Sequence, residues 1–187
     1  MSDRAAHFQA LARDIVGFWR SAGAGRWYRQ DSVFDAQVRR RLGRWYDLAA
    51  TGDLAAMAET PEGAMALLIL LDQAPRNMFR GTPRAFETDA QAREVAWEGV
   101  RRGFDSRVVP PLRPLFYLPF MHSEDLLDQD FCVALYRERG TPDGLAWAEV
   151  HREIIARFGR FPHRNPILGR EMSDEEAGFL AEGGFRG

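Results

Sequence analysis

Residues 63–71, GAMALLILL, narrow the fold more than any other stretch of this chain. They follow Thr60-Pro61-Glu62, a helix start with a capping hydroxyl, a proline in the first turn and an acid at the positive end of the helix dipole. A helix that is apolar nearly all round has no face to give to water, so it belongs at the centre of a core. Strand-type alternation is scarce along the chain, whereas apolar residues at helical spacing recur. The central helix turns polar after Leu71, at Asp72, Gln73, Arg76, Asn77 and Arg80. Pro75 cannot donate to the carbonyl of Leu71, which predicts a kink there.

The remaining periodicity places helices around this one. A first helix spans roughly 5–20, with Phe8, Leu11, Ile15, Phe18 and Trp19 as its apolar stripe. A second starts near Asp31 or Ser32 and turns Phe34, Val38, Leu42 and Trp45 inward, leaving Arg39, Arg40, Arg41 and Arg44 mostly on a solvated face. Thr88-Asp89 starts another, with Ala92, Val95, Ala96 and Val100 buried and Gly103 at its end. Prolines 110, 111, 114 and 119 keep any helix between them short. Ser123 is placed to cap a helix over about 124–139. Thr141-Pro142 opens the next, and Ser173 with Glu176 forms a capping box for the last. The expected fold is therefore an all-α array or bundle of about seven to eight helices in a single domain, 1–187. Leu42-Gly43-Arg44-Trp45-Tyr46 resembles the L-G-x-x-Y heart of a tetratricopeptide unit, with no second copy a repeat length later.

Composition excludes several function classes. A formal net charge of -2 argues against a protein whose main partner is nucleic-acid backbone. All 25 basic residues are Arg, so Schiff-base catalysis, a lysine base and a Walker-type phosphate loop are excluded. Arg instead recognises carboxylate and phosphate bidentately. The lone Cys132 sits among apolar residues and can form neither an intrachain disulfide nor a Cys-rich zinc site. There is no H-E-x-x-H and no close His pair, so no metal site is expected. G-x-S-x-G and G-x-G-x-x-G are also missing, which removes the usual hydrolase and dinucleotide hypotheses and leaves any cofactor unspecified. No signal-peptide core or membrane-length apolar run is evident, so no membrane partner is expected and the cytoplasm is the default location.

Three polar segments interrupt the core pattern. In the first, Asp72 and Arg76 are four apart on one helix face, which predicts an ion pair. The second is His122-Ser123-Glu124-Asp125. Glu124 is expected to share a helix face with Leu127, Phe131 and Leu135, and an inward carboxylate needs Arg or His partners. The third, HREIIARFGRFPHRNPILGR, runs from an amphipathic helix into a stiff basic loop carrying Arg160, His163, Arg164 and Arg170 between Phe158, Phe161, Pro162 and Pro166. His151 lies on the stripe of Trp147, Ile154, Ile155 and Phe158 and is expected to face the core, with one ring nitrogen toward a cavity. The loop either binds an anion or ties helices together through Arg hydrogen bonds.

The same segments, LLILLDQAPRNMFRGTPRAFETDAQA, FYLPFMHSEDLLDQ and HREIIARFGRFPHRNPILGR, resemble the hallmark blocks of a bacterial family, domain-of-unknown-function family 924. The likeness extends from the first helix through RWYRQDSVFDAQV to SDEEAGFL. This chain departs from the family pattern at FWR in the first helix and at EMSDEE, outside the polar blocks. The resemblance implies a tetratricopeptide-like antiparallel helical array and no established activity, substrate or cofactor. The motif residues carried over are Asp72, Gln73, Arg76, Asn77, Arg80, His122, Ser123, Glu124, Gln129, His151, Arg160, His163, Arg164, Asn165 and Arg170.

Two functional readings follow. In the favoured one, a concave face lined by Arg76, Arg80, Arg160, Arg164 and the histidines takes a small anionic ligand or an acidic peptide end, with Asp72, Asn77, Glu124 and Arg170 completing the site. In the rival, an enzyme uses His122, Glu124 and His151 for acid–base or metal-assisted chemistry on an anionic substrate. Either way, the three segments are expected to converge.

Overall fold

The computed structural model describes residues 3–187. Eleven α-helices are present among them, more than the seven to eight expected: α1 Asp3–Ala22, α2 Ala24–Trp27, α3 Ser32–Ala50, α4 Pro61–Leu68, α5 Ala74–Met78, α6 Asp89–Arg101, α7 Leu118–Met121, α8 Leu126–Arg139, α9 Pro142–Phe158, α10 Asn165–Leu168 and α11 Asp174–Ala181. The surplus is made of single-turn helices in the connections, at residues 24–27, 118–121 and 165–168, and of one break in the central rod. Among the described residues there is no strand, and no helix is long and apolar enough to cross a membrane.

The chain divides into two compact units. The first runs to Arg80 and resumes from Arg84 to Pro119; the second holds Gly81–Pro83 and Phe120–Gly187. In the first unit α4 packs against α1 and α6, and α5 packs against α3. Every residue from Gly63 to Pro75 is buried, as an all-round apolar helix requires.

The break in the rod is a π-helical turn, Ile69–Gln73, between α4 and α5. Ala74 donates its N–H five residues back, to the Ile69 carbonyl. Pro75 leaves the Leu71 carbonyl without its helical donor, and the buried Thr88 hydroxyl supplies one at 2.6 Å. Thr88 consequently makes no side-chain cap for α6, although it stands at the cap position.

Cap signals hold at three helix starts. Asp31 caps α3 by accepting from the N–H groups of Val33 and Phe34, and Thr60 and Thr141 cap α4 and α9. In α3 the inward aromatic is Tyr46, 2% exposed, rather than the half-buried Trp45. In the second unit α8 and α9 pack along each other. Ion pairs Asp130–Arg152 at 2.6 Å and Arg137–Glu149 at 2.8 Å rise in number on one helix and fall on the other, so the pair is antiparallel.

Candidate functional site

The second and third polar segments meet in the second unit. Helix α9 ends at Gly159, whose φ of 68° lets its N–H return to the Ile155 carbonyl. The chain then makes a short 3-10 turn, Pro162–Arg164, followed directly by α10 and by Gly169 at a φ of 65°. These two left-handed glycines fold the basic loop back on itself. Ile154, Ile155 and Phe161 form a small core beneath it, with Phe158, Phe179 and Phe185 packed against them.

The loop opposite starts later than the sequence spacing implies. Helix α8 begins at Leu126 with Asp125 as its cap, not with Ser123. The Ser123 hydroxyl donates to Asp128 at 2.6 Å and accepts from the Asp125 N–H. Glu124 therefore precedes the helix and does not share its face, and Leu127 is 78% exposed. Gln129, fully buried, donates its side-chain amide to the carbonyls of Met121 and Ser123 at 2.8 and 2.7 Å, which fixes the His122–Glu124 turn from inside.

That turn aims Glu124 at the basic loop. Its carboxylate accepts the Phe161 N–H at 2.9 Å and a fork from Arg170 at 3.0 and 2.8 Å. Burial alone would raise the Glu124 pKa, but the Arg170 hydrogen bond, the Phe161 N–H and the charges of Arg164 and Arg170 outweigh it and hold the group below its ordinary value. Arg160 is committed in the same way, to the buried Glu176 at 2.6 and 2.8 Å. Glu176 also accepts from Asn165 and from the Ser173 N–H of its capping box. Its pKa falls to about 2, chiefly through the Arg160 hydrogen bond. The capping box was legible in the sequence; the second duty of Glu176, as the anchor of Arg160, was not.

Arg164 is buried, and its guanidinium lies 4.5 Å from the centre of the Phe161 ring. Its charge acts on His151, His163 and Glu124. His151 is 7% exposed, and its Nδ1 stands 2.8 Å from the Trp147 carbonyl. A carbonyl only accepts, so Nδ1 carries the proton and Nε2 the lone pair. Burial pulls the His151 pKa down to about 4, partly offset by the Trp147 hydrogen bond and reinforced by His122 and Arg164. His163 is pulled to about 4 by burial, then by Arg164 and His151. The influence of His122 on both rings gathers the three histidines in one neighbourhood.

The ring that covers this neighbourhood belongs to a residue that no sequence motif marks. Phe185 sits edge-on to His151 at 4.5 Å between ring centres and to His163 at 5.2 Å, with Phe161 behind it. Trp147, expected on the core stripe, is 55% exposed and borders Phe185 at 6.2 Å. His151 is thus enclosed by Phe161 and Phe185 rather than by Trp147.

The first polar segment finds its partners within the first unit. Asp72 is 1% exposed and pairs with Arg76 at 3.1 Å, as the i,i+4 spacing implied. Arg76 continues to Asp89 at 3.0 Å and also donates to the Asp72 carbonyl. Burial works against the Arg76 charge, but Asp72 and Asp89 outweigh it and raise its pKa. Asn77 and Arg80 both donate to Asp35, at 2.8 and 2.7 Å. Asp35 and Asp89 stand in the RWYRQDSVFDAQV and ETDAQA stretches, where they read as ordinary first-turn acids.

Among the described residues, no three His, Cys, Asp or Glu side chains are arranged to hold a metal ion. A family profile described as a bacterial protein of unknown function, DUF924, matches residues 15–184. The chain belongs to this family. A solved structure of a protein of unknown function from Agrobacterium tumefaciens superposes with a TM-score of 0.90 at 46% identity, covering 94% of this chain and 99% of the other. Comparison with curated proteins gives no match.

Proposed function

We propose that this family member is a tetratricopeptide-like helical protein whose second unit binds a small anionic ligand or the acidic end of a peptide, at Arg164, His122, His151 and His163. The observation that carries this reading is a ring nitrogen left unmet at a built loop: the His163 Nδ1 is shut away from solvent with no hydrogen-bond partner. Arg160 and Arg170 are forked to Glu176 and Glu124, and the charge of Arg164 acts on Glu124, His151 and His163. Two imidazoles kept neutral by burial stand beside them. Arg160 and Arg170 act as positioning groups, and the charge of Arg164 with an N–H of His163 supplies recognition, while His151, its N–H given to the Trp147 carbonyl, walls the site. The antiparallel α8–α9 pair supports the tetratricopeptide-like part of the reading. Asp72, Arg76, Asn77 and Arg80 serve the first unit as a clasp between the rod and its neighbours.

The geometry favours binding over acid–base chemistry. A general base works best with a pKa near the operating pH, and a His151 held near 4 is a weak base at neutrality. Glu124 is committed to Phe161 and Arg170. The test is thermal shift of the purified chain against inorganic phosphate, acetate and citrate. A ligand at about a hundred times its Kd adds about 2.7 kcal/mol of apparent stability. The reading expects a concentration-dependent rise that Arg164→Lys removes, because a point charge does not reproduce the planar fork. No rise with any of the three anions would overturn it.

A further inference from the structure

The segment after α11 lays one aromatic side chain, Phe185, against two histidine rings. Gly183 and Gly187 hold φ angles of 91° and 92°, so Phe185 is flanked by conformations that side-chain-bearing residues rarely adopt. The segment is tied to α11 by the Gly184 N–H on the Phe179 carbonyl at 2.9 Å and by Arg186 on the Leu180 carbonyl. Phe185 itself is held by ring contacts, on His151, His163, Phe161 and Trp147. It remains only half-buried.

A plain core closure does not account for what lies under it. The His163 Nδ1 is shut away from solvent with no hydrogen-bond partner. A phenyl ring cannot satisfy a ring nitrogen, so Phe185 fills the apolar part of this seat and leaves its polar part unmet. Two imidazoles and a phenyl make the walls of a slot for one flat ring, and the charge of Arg164 acts on both imidazoles.

We infer that Phe185 is an in-chain stand-in for an aromatic group, and that the site takes an aromatic anion, a flat ring bearing a carboxylate or phosphate, in exchange for it. The ring replaces Phe185 between His151 and His163. The acid accepts from the His163 Nδ1, which then carries that ring's proton, and meets the Arg164 charge. This rests on the anion-binding reading above and adds the ring and the exchange. Binding then requires the cover to open, so the apparent Kd equals the intrinsic one divided by the open fraction.

The test uses the full chain and two pairs of probes: benzoate against acetate, and phenyl phosphate against inorganic phosphate, titrated by calorimetry. Phe185→Ala is expected to bind the ring-bearing probes about tenfold more tightly than wild type if the cover is open about a tenth of the time. The ringless probes are expected to bind both forms alike. A second measurement needs no variant. Contacts between the Phe185 ring and the His151 and His163 rings, seen as cross-relaxation in the wild-type NMR spectrum, are expected to vanish with saturating phenyl phosphate and to persist with phosphate. Ring-bearing and ringless probes binding equally well, with Phe185 still seated, would overturn the exchange while leaving anion binding intact. No binding of any probe to either form would overturn both.

Discussion

The buried histidine of α9 makes the stability of this protein depend on pH in a defined window. His151 has a folded-state pKa of about 4 against an ordinary value of 6.5. The fold therefore favours the neutral ring, and protonation drives unfolding. The contribution is complete above the unfolded value, falls as pH drops below about 6.5, and is lost once pH reaches about 4. At 1.36 kcal/mol per pH unit, the separation is worth about 3 kcal/mol, a large share of a typical domain's stability. His163, lowered to the same level, adds to the slope in the same window. The perturbation is His151→Asn, whose side-chain amide stands close to the position of the Nδ1 donor and keeps the bond to the Trp147 carbonyl without a titrating ring. Urea unfolding at steps from about pH 7 to about pH 4.5 reads the result. Wild type is expected to lose stability steeply across these steps, and the variant to retain only the gentler slope due to His163. Equal slopes in the two proteins, or a His151 ring proton titrating near its ordinary pKa, would refute the assignment of a desolvated neutral imidazole.

Two further expectations follow from the structure. Thr88→Val removes the donor to the Leu71 carbonyl and is expected to cost about 1–3 kcal/mol in urea unfolding, since a buried acceptor is left unmet; a change smaller than that spread would show that the carbonyl finds another donor. Glu176 has its pKa lowered to about 2, so it stabilises the fold above its ordinary 4.5 and loses that effect as pH falls toward 2. Glu176→Gln is expected to lower stability at neutral pH and to flatten the acid limb of the wild-type profile; an unchanged limb would assign acid unfolding to other carboxylates.

How far the sequence could be read depended on the reach of each interaction. Thr60-Pro61, Thr141-Pro142 and Ser173 with Glu176 are self-contained caps, and each starts a helix where expected. The buried Gly63–Leu71 stretch needed only its composition. Errors arose where a local signal had a distant competitor. Ser123 has the chemistry of a cap, yet Asp128 takes its hydroxyl and the helix begins with Asp125 instead. That small offset turned the assigned face, so Leu127 emerged exposed and Glu124 came inward from a turn rather than from a helix. Pro75 was legible as a break, but the π-turn and the Thr88 donor depend on a partner from another helix. In the site, the Asp72–Arg76 pair and the need of Glu124 for arginine were legible from spacing and burial. The role of Phe185 was not, because a ring flanked by glycines carries no periodicity to place it.

The π-turn in the central rod has a consequence for how this helix tolerates changes of length. A π-turn carries one more residue than an α-helical turn in nearly the same span. The segment Ile69–Gln73 is therefore where the rod stores a spare residue. Removing a residue from α4 or α5 rotates everything beyond the deletion by about 100°. Such a rotation takes Arg76 away from Asp89, and Asn77 and Arg80 away from Asp35. Removing one inside the π-turn instead relaxes it to an α-turn and leaves both flanks in phase. Length variation in this rod should then be confined to the Ile69–Gln73 turn, and a chain shortened there keeps its Asp72–Arg80 clasp only if the residue lost is not Asp72 itself.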